Sequence, residues 1–231
     1  VFQGIAPEAT ILIDGPTGRS LTGAQFMQSV KALAGGLTAR GYAPGGCVAL
    51  MAPNIPEFCT VFHAAAWAGG CVTTVNPTYT AHELHHQLID SGAELLVTVA
   101  PFLDTAREGI KGTRVREIVL IGPAADGAAG LADFMGRPMA EQVAVDLDEH
   151  VVCLPYSSGT TGRPKGILRP IPDEPPEHQT PLFQFLMKLW RYREGMVYLS
   201  PAPLYHSAPQ AAVNLTIRRG GTAIIMEKFD P

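Results

Sequence analysis

The sequence predicts an α/β fold of mainly parallel βα layers with helices on both faces, and three observations carry that expectation. The 231 residues are 46% hydrophobic and only 16% charged, enough apolar material for a sizeable core and unlike a disordered tail. The 24 glycines and 20 prolines imply many turns between short elements rather than long helical bundles. Short apolar runs rich in β-branched residues alternate with segments of helical periodicity, the order that folds into parallel strands joined by crossover helices.

The elements follow in chain order. Residues 9–13 form a short β-branched run closed by Asp14-Gly15, a strand and its turn. Thr22 with Gln25 makes a capping box, and Phe26, Val30, Leu33 and Leu37 recur at helical spacing until Gly41. A strand over 47–51, an apolar helix over 56–68 stopped by Gly69-Gly70, and a strand over 71–75 come next. The alternation continues with a helix over about 81–89, a buried strand over 95–99, a short helix near 103–108 and a strand over 117–121. Residues 122–138 are a Gly/Ala-rich connection, and 151–156 reads as one more strand. In such sheets ligands bind where strands exit at their carboxyl ends, so the run that leaves Tyr156 is the place to look for chemistry.

Composition narrows the function classes. A formal net charge of -4 and a pI near 6.0 provide no field for nucleic acid, and no Lys/Arg stripe makes up for it. Cys47, Cys59, Cys71 and Cys153 are far apart with mostly apolar neighbours, and read as small reduced core residues of a cytoplasmic protein rather than a disulfide or metal set. Gly, Pro or charge interrupts every apolar run before the ~18 residues that spanning a bilayer requires. The chain opens on Val1-Phe2-Gln3 without a signal-peptide pattern, and both ends read as cut.

Residues 156–166, Tyr-Ser-Ser-Gly-Thr-Thr-Gly-Arg-Pro-Lys-Gly, put Ser157, Ser158, Thr160 and Thr161 among Gly159, Gly162 and Gly166, with Lys165 beside them. Glycines let backbone N–H groups converge on anionic oxygens, hydroxyls add donors, and lysine adds positive charge, so the loop suits a polyphosphate. A Walker A loop does not fit, because Lys165 is followed by Gly166 and no adjacent hydroxyl is supplied for magnesium.

This string closely resembles the signature of the adenylate-forming superfamily, which includes acyl-CoA synthetases, 4-coumarate-CoA ligases, luciferases and peptide-synthetase adenylation domains. Met51-Ala52-Pro53-Asn54 with Pro56-Glu57 resembles the family's second strand-to-helix passage, as does Asn76-Pro77-Thr78-Tyr79-Thr80 through His86-Gln87-Leu88-Ile89-Asp90-Ser91-Gly92-Ala93, which is especially similar to the CoA-ligase branch. Pro201-Ala202-Pro203-Leu204-Tyr205-His206-Ser207 resembles the motif that places an aromatic-His pair beside the bound acid. The resemblance implies an incomplete N-terminal AMP-binding domain over 1–231 without the C-terminal lid. Its first βα subdomain would run over about 1–150, and the phosphate loop with the start of a second over about 151–231.

It also implies the chemistry: ATP-dependent activation of a fatty or aromatic carboxylic acid to an acyl-adenylate, then transfer to CoA. Ser157, Ser158, Gly159, Thr160, Thr161 and Gly162 would wrap the departing phosphates. Lys165 would neutralise charge or hold the loop, magnesium would bridge phosphate oxygens, and His206 would lie near the acid. No residues are assigned to a protein-held metal. The adenine-side, ribose-binding and lid-lysine motifs do not occur here, so the 231-residue chain is expected not to turn over by itself. Beyond Gly166 the run Ile167-Leu168-Arg169-Pro170-Ile171-Pro172 departs from the 4-coumarate-ligase pattern, leaving the acid open; a peripheral membrane contact stays open only for a long-chain lipid acid.

Three other readings compete: a peptide-synthetase adenylation domain, a non-catalytic nucleotide-binding module, and a zinc hydrolase on the literal H-E-x-x-H of His82-Glu83-Leu84-His85-His86. For the last, the competing account has Thr80 and Glu83 cap a helix, Leu84 and Leu88 pack inward and the histidines face water. Trp67, Met187, Trp190 and the Phe183-Phe185-Leu186 cluster are expected in the core rather than lining an acyl pocket.

Overall fold

The computed structural model describes residues 5–146, 149–157, 164–168 and 181–229. Strands β1 (Thr10–Asp14) and β2 (Ser20–Thr22) pair antiparallel and lead into α1 (Gly23–Ala39). The capping box forms as expected: Gln25 N–H donates to Thr22 Oγ1 at 3.2 Å, and Thr22 N–H donates to Gln25 Oε1 at 2.9 Å. Then come β3 (Cys47–Leu50), α2 (Pro56–Trp67), β4 (Cys71–Thr74), α3 (Ala81–Ser91), β5 (Leu95–Thr98), α4 (Leu103–Gly109) and β6 (Glu117–Leu120), each close to its expected bounds.

Alternation within these strands builds two cores. With the short β7 (Ala129–Gly130) they make an all-parallel sheet in the order β4-β3-β5-β6-β7. Val48, Leu50, Leu95, Val97 and Val119 join one core with Phe26, Val30 and Leu33 of α1 and Phe58, Val61 and Ala65 of α2. Their neighbours Ala49, Met51, Leu96, Ile118 and Leu120 face the other way, onto Leu84 and Leu88 of α3 and Leu103 and Ala106 of α4. Strands covered by helices on both faces become apolar on both faces, as these are.

Further along are the two-residue strands β8 (Tyr156–Ser157) and β9 (Lys165–Gly166), then α5 (Pro181–Leu189), β10 (Val197–Ser200), α6 (Ser207–Arg218) and β11 (Thr222–Ile225). Strands β10, β11 and β1 are parallel neighbours in a second sheet of order β10-β11-β1-β2. Its Ile11, Leu12, Ala223 and Ile225, with Val213 and Ile217 of α6, enter the α1/α2 core, which puts α1 and α2 between the sheets.

Several expectations are corrected. The strands divide between two sheets, because β1 pairs with β11 from the far end of the chain, as well as with its neighbour β2, and not with β3 to β6. The connection over 122–138 contains β7 and the short helical turn Leu131–Phe134, whose Phe134 is fully buried. Residues 151–156 do not form a strand throughout: Val152 O and Leu154 N–H bond to Val72 of β4, but Cys153 makes only an isolated bridge and Pro155 has no N–H to extend the ladder.

The apolar cluster is also placed differently. Phe185, Leu189 and Trp190 are 60%, 60% and 52% exposed, not core, while Trp67 packs against the core as a partly buried residue. The side chains of Phe183 and Leu186 lie outside the described set. Of the four free cysteines only Cys59 is buried. Cys47 and Cys71 stand in register on β3 and β4, and Cys153 lies opposite Val72, so residues far apart in sequence meet at one sheet edge. Burial pushes the Cys59 and Cys153 thiols up to about 12.

Candidate functional site: the mouth of a phosphate loop

The chain reaches the site alongside β4. Thr73 Oγ1 donates to Leu154 O at 2.9 Å, and Gln87 of α3 donates through Nε2 to Thr73 Oγ1 at 2.7 Å and to Thr74 O at 3.1 Å. From there β8 and β9 pair antiparallel, Tyr156 opposite Gly166 and Ser157 opposite Lys165, and Ile167 N–H donates to Pro155 O at 2.9 Å. The two ends of the hydroxyl-rich loop are therefore side by side, with the exposed Ser157 and Lys165 facing each other across the hairpin. Of the residues expected to grip phosphate, Ser158, Gly159, Thr160, Thr161 and Gly162 lie outside the described residues.

Helix α3 touches both ends of this loop. Tyr156 donates its phenolic proton to Asp90 Oδ2 at 2.6 Å, and His86 Nε2 lies 3.1 Å from Pro164 O. A carbonyl oxygen only accepts, so the His86 ring presents its Nε2–H there. Burial, followed by the hydrogen bond to the Asp90 carboxylate, raises the Tyr156 phenol well above its ordinary pKa.

The same helix carries the H-E-x-x-H string, and its residues are otherwise employed. Thr80 accepts from Glu83 N–H at 3.4 Å, and Glu83 Oε2 accepts from Thr80 N–H at 2.8 Å. The Thr80 N–H and hydroxyl, both donating to Glu83 Oε2 at 2.8 Å, hold the Glu83 carboxyl below its ordinary pKa. His85 Nδ1 lies 3.1 Å from Gly109 O, and His82 alone of the three histidines is exposed. Leu84 and Leu88 pack inward as expected, but His85 and His86 are half-buried and bonded rather than facing water. Among the described residues no three His, Cys, Asp or Glu side chains gather as a metal site.

His206 sits on another element tied to the same strand end. It occupies the cap position before α6, exposed, with its ring 4.2 Å from that of Tyr205 at an interplanar angle of 39°. Thr74 Oγ1 donates to Tyr205 O at 2.8 Å. Successive strand residues point to opposite faces, so Thr73 secures the run entering the hairpin while Thr74 secures the His206 segment. Asn54, buried just past β3, completes the frame: its Nδ2 donates to Ala202 O and Met226 O at 3.0 and 3.1 Å, and its Oδ1 accepts from Leu204 N–H at 2.8 Å. Beside the first turn of α6 an apolar cavity of about 420 Å³ is lined by Trp190, Tyr192, Tyr198, Ala202, Ala208 and Ala212. A larger one, about 590 Å³, lies elsewhere, at Gly15, Leu199, Ile224, Met226 and Phe229.

The structure thus anchors Ser157, Lys165 and His206 around the end of β4. Sequence reasoning gave Asn54, Thr74 and Asp90 no individual role, and read His86 only as a zinc ligand or as a histidine facing water. The one local signal was for Asn54, a polar residue placed directly after a buried strand. The other three show their purpose only through partners 66 or more positions away.

Residues 4–231 match the family model described as AMP-binding enzyme. The chain is 35% identical over 229 residues to a 4-coumarate-CoA ligase 3 of Oryza sativa subsp. japonica, covering 95% of this chain and 39% of that protein. A 4-coumarate-CoA ligase 5 from the same plant is 34% identical over 242 residues, with 100% and 43% covered, so the chain spans about two-fifths of the length of these curated relatives. In fold it resembles a putative long-chain-fatty-acid CoA ligase from Rhodopseudomonas palustris, with TM-score 0.82 and 23% identity, covering 100% of this chain and 56% of that one.

Proposed function

Because this chain belongs to the AMP-binding enzyme family, we propose that it supplies the phosphate-gripping part of a ligase that activates a carboxylic acid with ATP and passes it to CoA. The observation that carries this reading is the hairpin that sets Ser157 opposite Lys165 at the mouth of a hydroxyl- and glycine-rich loop, at the carboxyl end of a parallel strand.

The reaction needs no protein nucleophile. A substrate carboxylate oxygen attacks the α-phosphorus of ATP, the bond to the β-phosphate oxygen breaks, and pyrophosphate leaves with the electron pair. The thiol of CoA then loses its proton and attacks the acyl carbon, and AMP departs. The protein's task is to hold anionic groups and to stabilise charge growing on the leaving phosphates. Lys165 supplies the opposing positive charge, Ser157 and the loop residues Ser158, Gly159, Thr160, Thr161 and Gly162 supply donors, and magnesium would come with ATP as part of the substrate. His206, at the cap of α6 whose first turn lines the apolar cavity, would meet the carboxylate or shape its pocket.

The aromatic and small side chains around that cavity suit a flat ring or an acyl chain, which supports an aromatic or fatty acid as substrate. The names of the relatives support the same range. Four free thiols support a reducing, cytoplasmic setting, and among the described residues no helix is long and apolar enough to cross a membrane. The two subdomains of this reading, about 1–150 and about 151–231, follow chain order, although the second sheet draws β1 and β2 from the first.

The test is pyrophosphate release by the protein translated from its whole reading frame, given ATP, magnesium, CoA and a panel of fatty and aromatic acids. Acid-dependent release is expected, falling ~100-fold in Lys165→Ala, the scale of losing one charged stabiliser of the transition state. The 231-residue chain assayed in parallel is expected to be inactive. Failure of every acid to provoke release defeats the ligase reading and leaves a nucleotide-binding module in its place.

A further inference from the structure

The residues that end the loop are held from outside it as well as by their own hairpin. Tyr156 leaves the edge of β4 and bonds to Asp90; Pro164 returns toward Lys165 and receives His86. His86 and Asp90 are one helical turn apart, so α3 presents them on one face. Asp90 accepts through a carboxylate at 2.6 Å, a charge-assisted bond, and Tyr156 is half-buried where it makes it. Below them α3 is rooted by Leu84 and Leu88, both fully buried, and by the bonds of Gln87 to Thr73 and Thr74. A rigid element therefore grips the entry and the exit of the loop independently.

We propose that His86 and Asp90 are positioning residues of the nucleotide site: α3 is a brace that holds the loop mouth in register so that Ser157 and Lys165 face each other before ATP arrives. Donors that meet phosphate without first being ordered stabilise developing charge without reorganising, and a loop whose ends are pinned has less freedom to lose on binding. The H-E-x-x-H string thereby acquires a use unconnected with metal. Its last histidine acts on a backbone carbonyl 78 residues away, and its glutamate starts the helix that carries it.

One readout of the brace does not depend on any catalytic reading. Between Arg116 and Lys188 the chain contains Arg137, Arg163, Lys165 and Arg169; the three arginines all precede proline, leaving Lys165–Gly166 as the single bond there open to trypsin. That bond lies in β9, inside the braced hairpin. In the protein from the whole reading frame, Tyr156→Phe, Asp90→Ala and His86→Ala are each expected to raise the rate of cleavage at Lys165–Gly166 about tenfold. His86→Gln, which keeps an N–H within reach of Pro164 O, is expected to restore most of the protection. His85→Ala, which cuts a bond from the same helix to Gly109 instead, is expected to cleave at the wild-type rate. Cleavage of the brace variants within twofold of wild type overturns the brace, as does equal sensitisation by His85→Ala.

The second readout rests on the ligase reading. In acid-dependent ATP–pyrophosphate exchange the brace variants are expected to raise KM for ATP five- to tenfold while KM for the acid stays within twofold. An unchanged KM for ATP in a variant whose loop has become cleavable overturns the positioning role while leaving the ligase reading intact. Absence of exchange in the wild type defeats the ligase reading, and the cleavage rates still decide the brace.

Discussion

The sheet formed by β3 to β7 buries apolar residues on both faces, whereas the sheet of β10, β11, β1 and β2 buries them on one. In the first, adjacent strand positions are sorted between two cores, and Val48, Leu50, Met51, Leu95 and Leu96 are at most 1% exposed. Around the second, Val197 and Leu199 of the edge strand β10 are 64% and 51% exposed, and Phe185 and Trp190 near it are open to solvent. Hydrophobic pattern reports that a face is apolar, whereas burial requires a second element to reach it; α1 and α2 on one side and α3 and α4 on the other reach both faces of the first sheet, while α1, α2 and α6 reach one face of the second.

The sharpest way to break the comparison is to truncate side chains on its buried side. Phe26 is fully buried in α1, edge-on to His63 at 5.6 Å between ring centroids, in the core shared by both sheets. Phe26→Ala is expected to cost about 3–5 kcal/mol, the combined loss of transfer energy and of packing around a cavity. Urea denaturation of the two proteins measures it. A loss under about 1 kcal/mol would mean that this core collapses around the gap, and that the contrast between the regions is shallower than burial suggests.

A second, somewhat smaller effect tests the same core through pH. His63 is buried in α2 between Phe26 and Phe62, with Nε2 3.1 Å from Asn214 Oδ1 of α6. Burial lowers its pKa from 6.5 to about 4, and the bond to Asn214 offsets only part of that. The unfolded chain therefore takes up a proton as pH falls through 6.5, while the folded one resists until about 4. The stabilisation from keeping this ring neutral is complete above the unfolded value and drains away between those two pH values, ~3 kcal/mol in all for a shift of this size. Stability curves at pH 7.5, 5.5 and 4.5 should fall more steeply in the wild type than in His63→Gln, which removes the titration. Parallel curves would show that His63 is hydrated in solution and the core less dry.

How much was legible in advance follows the range of the interactions involved. The start of α1 was readable because Thr22 and Gln25 are three residues apart and complete each other. Strands β3 to β6 were readable because each carries its own apolar run between turn signals. The assignment of β1 to a different sheet was not, since its partner Thr222–Ile225 lies at the far end of the chain and no local pattern encodes parallel register. At the site, Ser157 and Lys165 were visible as members of one unbroken string. Asp90 and His86 looked like the polar face of an ordinary helix, which they also are; only the return of the chain at Tyr156 and Pro164 gives them partners. The stretch 151–156 is not one strand, because Pro155 stands where a ladder would need an N–H, a reason legible in the sequence.

The smallest expected effect lies on the exposed side of the comparison, where a near-zero result is informative. Phe185 and Trp190 were expected in the core from their spacing, yet more than half of each is open to solvent. Trp190 still lines the cavity beside α6 and lies 6.2 Å from Tyr192 between ring centroids. A side chain already this exposed gains little on folding, so Phe185→Ser and Trp190→Ser are expected to change the stability of the 231-residue chain by no more than about 0.5 kcal/mol. Trp190→Ser should be the costlier of the two, because it gives up the contact with Tyr192 and one wall of the cavity. Urea midpoints of the two variants against wild type decide the matter. A loss above about 1 kcal/mol for Phe185→Ser would mean that this face is covered in solution, making the two regions alike in how they bury apolar surface and different only in which element does the covering.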